Sequence, residues 1–157
     1  MSRSQNYIET QVIEALNFCK SSPSDLLSLS LICQTIEVYG AFLDSKPFAC
    51  KGQSQKRFDL ALKQLFPESY HSKNKGSAFY FKLRCSVLHY FQLHQLYALS
   101  SKPDLHLNWS EKQINLNIAT FLEDCILAGK KLINLLEDNA LKSKKSSSVL
   151  FNSVLST

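Results

Sequence analysis

Apolar residues recur at helical spacing over long stretches of this chain. Ile8, Val12, Ala15, Leu16 and Cys19 fall on one stripe, with Glu9, Glu14 and Asn17 off it, which predicts a first helix from about Ser4 to Cys19. Ser21-Ser22-Pro23-Ser24 interrupts that pattern and restarts it. Ser22 can cap, Pro23 fits the first helical position, and Asp25 lies in the first turn, where the helix dipole favours an anion. The second helix, about Pro23 to Leu43, is apolar nearly all round, as a helix at the centre of a bundle must be. Its one internal acid, Glu37, then requires a partner, an arginine or a hydroxyl.

Asp44 to Gln53 reads as a loop containing Pro47 and Gly52, and Ser54 as the cap of a short third helix, Gln55 to Phe66. There Phe58, Leu62 and Leu65 face inward, and Lys56, Arg57 and Lys63 outward. Pro67 ends it, and Glu68 to Gly76 reads as a polar, basic loop. Ser77 can cap a fourth helix, Ala78 to about Leu99, crowded with Phe79, Tyr80, Phe81, Tyr90, Phe91 and Tyr97. That is more apolar surface than one bundle face requires, so a second covered face is expected, on another helix or on another copy of the protein. After Pro103-Asp104 the pattern alternates instead. Leu105 to Trp109 and Gln113 to Asn117, joined by Ser110-Glu111-Lys112, predict a small β-hairpin. Asn117 can cap the last helix, Ile118 to Asn139, with Ile118, Leu122, Cys125, Gly129, Leu132, Ile133 and Leu136 as its stripe. The expected fold is all-α, a four- or five-helix up-and-down bundle with one β-hairpin before the last helix. It forms a single domain over residues 1–140, followed by a Lys- and Ser-rich tail, 141–157, either loose or docked on the body.

Composition agrees with this picture. A chain of 157 residues that is 45% hydrophobic can fill one core without disulfides or metal, and its four Gly and four Pro disfavour a many-stranded sandwich or barrel. The five cysteines (Cys19, Cys33, Cys50, Cys85, Cys125) are odd in number and widely spaced. They lack the close pairing of a structural zinc site and read as small buried hydrophobes in a reducing compartment. No charge-free apolar run of about 18 residues and no secretory signal is present, so a cytoplasmic protein without a membrane span is expected, and no motif asks for a cofactor or metal. Charge is uneven. Residues 41–85 hold nine basic and three acidic side chains, a local excess of +6 that attracts phosphates. Lys73, Lys75 and Lys82 are therefore candidate nucleic-acid contacts, against the plainer reading that they are solvated surface.

One segment carries candidate chemistry: Phe79-Tyr80-Phe81-Lys82-Leu83-Arg84-Cys85-Ser86-Val87-Leu88-His89-Tyr90-Phe91. Neither Arg84 nor His89 would be chosen for packing in a helix built for burial. At 100° per residue the two lie roughly 140° apart around the helix and do not share a stripe. A long arginine side chain can swing toward its neighbour, but a groove where a second helix approaches, for instance the same helix of a two-fold partner, is the more natural meeting place. RNA cleavage by transesterification suits such a groove. It needs a base for the ribose 2′-hydroxyl proton, an acid for the leaving 5′-oxygen, and positive charge on the phosphate. An imidazole and a guanidinium supply all of these without metal.

Leu83-Arg84-Cys85-Ser86-Val87-Leu88-His89 resembles the R-x4-6-H motif of the HEPN superfamily, and the preceding Phe79-Tyr80 and the late-helix setting are similar to uncharacterised bacterial members. Cys85 stands where many active members carry a polar residue. The resemblance implies a helical bundle that dimerises into a composite active site and a metal-independent endoribonuclease with Arg84 and His89 as catalytic residues. It also implies roles in toxin–antitoxin systems, with a cognate antitoxin as a partner. The rival reading is a non-catalytic interaction module in which Arg84 is a structural ion pair with Glu37 and His89 is a satisfied core or interface histidine. His71, His94 and His106 are read as isolated surface, loop or strand residues.

Overall fold

A computed structural model describes residues 2–137; the tail at 141–157 and the expected end of the last helix at Asn139 lie outside the described residues. Helix α1 spans residues 3–19 as Arg3–Tyr7, Ile8–Ile13 and Glu14–Cys19, the middle piece wound as a π-helix. Ser2 and Gln5 close its start with reciprocal capping bonds. Helix α2 is Asp25–Leu43. Its cap is Ser24, whose hydroxyl accepts from the Leu27 N–H, and not Ser22, whose hydroxyl accepts from the Ser24 N–H one step earlier. Pro23 therefore lies outside the helix rather than in its first turn. Helix α3 is Ser54–Leu65, so Ser54 is inside it and Gln53 precedes it without a side-chain cap.

The expected loop after Pro67 is instead a short helix, α4, Glu68–Lys73, followed by a 3-10 turn at Lys75–Ser77. Tyr70, read as a loop residue, is completely buried there. Helix α5 covers residues 79–90, as a π-wound Phe79–Arg84 and an α-helical Cys85–Tyr90, and so stops well short of Leu99. Phe91 ends it by adopting the left-handed region, φ 49°, while its N–H bonds to the Val87 carbonyl. The apolar run beyond Phe91 goes into a loop and a strand, β1, Tyr97–Leu99.

The hairpin is shorter than predicted. Only Trp109–Ser110 (β2) pairs antiparallel with Gln113–Leu116 (β3), and Pro103–Leu105 is a 3-10 turn. β3 is central because β1 pairs with its other edge in parallel, Tyr97 opposite Ile114 and Leu99 opposite Leu116. Helix α6, Ile118–Glu137, follows at once. Asn117 caps it as expected, its carboxamide oxygen accepting from the Thr120 N–H and hydroxyl, each at 2.9 Å.

The chain is thus mostly helical with a three-stranded sheet, and α2 lies at its centre. Leu29, Ile32, Cys33, Ile36, Tyr39 and Phe42 of α2 are buried against Leu16 of α1, Phe58 and Leu62 of α3, Leu83 and Val87 of α5, and Phe121 and Leu132 of α6. A Cβ at Gly40 would collide with the Arg57 backbone, so α2 and α3 cross at a separation that only glycine permits. By length and composition alone α2 could cross a membrane. Here its apolar side chains form the core, and Glu37 within it is an ion-pair partner.

Arg57 corrects the predicted outward face of α3. It is buried, with Nε donating to Asp44, Nη1 to the Phe48 carbonyl at 2.8 Å and Nη2 to the Pro47 carbonyl at 2.7 Å. The cation fastens the 44–48 loop to α3, which no pattern local to the helix reveals.

Candidate functional site

Helix α5 carries the site, and the chain holds it at both ends. At its start the Asn74 carboxamide oxygen accepts from the Phe79 N–H at 2.9 Å, doing the work expected of Ser77. The Ser77 hydroxyl donates instead to Asp59 of α3, which also accepts from Asn74. Between Phe79 and Arg84 the helix is wide: the Cys85 N–H bonds to the Tyr80 carbonyl five residues back. Such π turns shift the side-chain register and recur at functional sites. Phe79, Leu83 and Val87 enter the core, and Tyr80 and Arg84 are left on the flank beside α2.

Arg84 Nη2 donates to Glu37 Oε2 at 2.9 Å, and Arg84 Nη1 lies 3.2 Å from His89 Nε2. Of the two ways in which Arg84 and His89 were expected to meet, the swing of the arginine side chain is the one present within a single chain. A long arginine side chain spans the angular gap within one helix, and α2 contributes the carboxylate that aims it. The guanidinium also lies 5.2 Å from the centre of the Tyr80 ring, a cation–π contact. Arginine has only donors, so His89 Nε2 is the acceptor and the imidazole proton sits on Nδ1. The Arg84 side chain is 14% exposed and that of Glu37 25%, whereas His89 is open to solvent. Burial works against the Arg84 charge, but the Glu37 carboxylate, with smaller contributions from Tyr80 and Cys85, offsets it, so the guanidinium's pKa is raised and it is a permanent cation. Its Nε–H is buried without a hydrogen-bond partner. Nearby, burial pushes the Cys33 thiol up to about 12, leaving it a neutral core side chain.

The remaining sequence-predicted residues are not gathered at this point. Lys73 closes α4 half-buried, Lys75 is exposed on the 3-10 turn, and Lys82 is exposed on α5. Cys19, Cys33 and Cys125 are buried as expected, but Cys50 and Cys85 are only partly so. Among the described residues no group of three or more histidines, cysteines and carboxylates is placed to hold a metal ion.

One cluster escaped the sequence reading. His106 is neither isolated nor in a strand: its Nδ1 accepts from the Asn117 N–H at 3.0 Å, which fixes the proton on Nε2. Nε2 then donates to the Tyr70 hydroxyl at 2.7 Å, and the hydroxyl donates to Asp124 at 2.7 Å. This directed chain ties α4, the 103–107 segment and α6 together. Burial pushes His106 down to about 4 and keeps it neutral. Burial also raises the Asp124 pKa, partly opposed by the Tyr70 hydrogen bond. The Tyr70 hydroxyl, both His106 ring nitrogens and Asp124 Oδ2 all have protein partners, so the cluster is a clamp. Tyr70, His106 and Asp124 lie 18 to 54 residues apart in sequence, and the alternation around His106 puts its ring on the side opposite Leu105 and Leu107, so no local signal shows it turning inward.

No family model, curated protein or solved structure matches the chain. The geometry of Arg84, His89 and Glu37 is therefore the ground for reading function.

Proposed function

We propose that this protein is a HEPN-like helical bundle acting as a metal-independent endoribonuclease, with Arg84 and His89 as its catalytic residues. The observation that carries the reading is the 3.2 Å approach of Arg84 Nη1 to a solvent-exposed imidazole, with the other guanidinium nitrogen anchored on Glu37. Anchored there, Arg84 can turn Nη1 to a non-bridging phosphate oxygen without losing its orientation. That movement frees the Nε2 lone pair of His89 to accept the 2′-hydroxyl proton. The 2′-oxygen attacks phosphorus, the bond to the 5′-oxygen breaks, and an imidazolium returns a proton to that oxygen. The products are a 2′,3′-cyclic phosphate and a 5′-hydroxyl.

Two imidazoles divide these proton transfers better than one, so the site is a composite of two copies of the chain. Phe81 and Phe91, both exposed on or just after α5, supply apolar surface for that homodimer. The partners of the reading are a second copy, RNA and a cognate antitoxin, in the cytoplasm.

A second reading has its own observation. The Arg84–Glu37 pair is mostly shielded from solvent, as a structural ion pair would be, and this favours a non-catalytic HEPN-like interaction module. RNA cleavage by the wild type and by His89→Ala, each with and without chelator, separates the two. The nuclease reading predicts chelator-resistant cleavage that falls 10²- to 10⁴-fold in the variant, about the worth of a general acid–base group. Absence of cleavage, or equal cleavage by both proteins, leaves the interaction module.

A further inference from the structure

A groove runs along the side of α5 next to His89. It consists of two depressions, of about 660 and 230 Å³, that share His94 in their linings. The larger falls within the range of small-ligand sites, about 300 to 1,000 Å³, and the smaller extends it along α5. One wall is a stripe of α5 at four-residue spacing: Lys82 in the larger depression, Ser86 and Tyr90 in the smaller. The opposite wall of the larger depression is the β2–β3 turn, with Glu111 and Lys112. Tyr90 is 76% exposed, and its ring stands 6.5 Å from the His89 ring at 72°, so the groove opens beside the candidate catalytic imidazole.

The chemistry of the lining is specific. An exposed aromatic ring in one depression, with lysines on the two walls of the adjoining one, suits single-stranded nucleic acid: a base stacks on the ring, and the lysines pair with the phosphates. His94 is preset as a donor, because its Nδ1 accepts from the Leu96 N–H at 3.0 Å, which leaves the proton on Nε2. The Glu111 carboxylate on the turn opposes phosphate, so the strand's backbone keeps toward the Lys82 wall, with Lys112 as the cation across the groove. Glu111 holds φ 55° in a two-residue turn, where its conformation fixes the position of Lys112.

We propose that this groove binds single-stranded RNA adjacent to the cleaved phosphate, with one base stacked on Tyr90 and the flanking phosphates on Lys82 and Lys112. The inference takes its ligand class from the nuclease reading, but it concerns binding and can stand or fall separately. It also moves the nucleic-acid contact away from Lys73 and Lys75, neither of which lines the groove.

The test is fluorescence anisotropy of a labelled ten-nucleotide oligouridylate against full-length His89→Ala protein, which separates binding from cleavage. In that background Tyr90→Ala weakens binding about 5- to 100-fold while Tyr90→Phe retains it, the range expected for one stacked base. Lys82→Ala and Lys112→Ala each flatten the slope of log Kd against log salt by about one phosphate contact, and Lys73→Ala and Lys75→Ala leave it unchanged. All these side chains except Lys73 are exposed, so melting temperatures should match the parent and confirm intact folding. Failure to bind the oligonucleotide, or binding indifferent to Tyr90→Ala and to both groove lysines, overturns the proposal. Groove-dependent binding by a wild type that never cleaves keeps the groove and removes the nuclease. Cleavage by a wild type whose groove variants bind equally well does the reverse.

Discussion

The two buried-end arginines of this protein, Arg57 and Arg84, differ in what their guanidinium groups have left to do. All three Arg57 nitrogens are engaged, by Asp44 and by two backbone carbonyls, and the pair is nearly sealed: 7% exposure for the Arg57 side chain, 4% for Asp44. Arg84 is fixed at one nitrogen by Glu37, meets an exposed imidazole at another, and has a buried Nε–H without a partner. A cation whose donors are exhausted inside the fold is an architectural tie. One that is anchored at a single point and aimed at the surface can change partners, which catalysis on a phosphate requires.

Substitution should break that contrast most visibly at Arg57. Arg57→Ala removes the cation beside the buried Asp44 carboxylate and should cost about 3–5 kcal/mol in denaturant unfolding. Arg84→Ala removes a partly exposed pair and should cost less, about 1–2 kcal/mol, while abolishing cleavage. Equal destabilisation by the two variants would make Arg84 a second architectural tie. Glu37→Gln sharpens the comparison further. It keeps the shape but removes the charge that orients Arg84, so activity should fall more than stability, with kcat reduced rather than KM raised.

The clamp at His106 gives a pH signature of its own. The unfolded imidazole takes up its proton near 6.5, but the folded one resists until about 4. Stability from this group is therefore complete above about pH 6.5 and is lost as the pH falls toward about 4. Asp124, whose pKa is raised on folding, acts in the opposite sense and moderates the loss. Thermal melts of the wild type should fall across that window, and those of His106→Gln should fall less. The smallest effect is expected at the end of α5, where Phe91→Gly relieves a left-handed backbone and should stabilise the monomer by about 1 kcal/mol at most, while weakening the dimer whose apolar surface Phe91 supplies.

What the amino-acid pattern disclosed depended on range. The all-round apolar face of 25–43 and the stripe and Asn117 cap of 118–137 are local signals, and those helices form much where they were expected. The end of α5 was overrun because the apolar run continues through Phe91, Leu93 and Leu96. The stop is a non-glycine residue in a left-handed conformation, which leaves no mark in the sequence. Arg57 was placed outside because its partners come from a loop nine to thirteen residues away. Arg84 and His89 stand out in the sequence as residues that packing would not choose, while helical angles set them apart. Side-chain length brings them together, and the ion pair of Arg84 with Glu37, named from the sequence as the alternative role of that arginine, is present at 2.9 Å.

The central claim concerns how the phosphodiester is broken, and the ends of the RNA fragments report it directly. Incubation of RNA with purified protein in excess chelator, followed by mass analysis of the products, should show 2′,3′-cyclic phosphate and 5′-hydroxyl termini. Fragments ending in 3′-hydroxyl and 5′-phosphate, or RNA left intact, would contradict it.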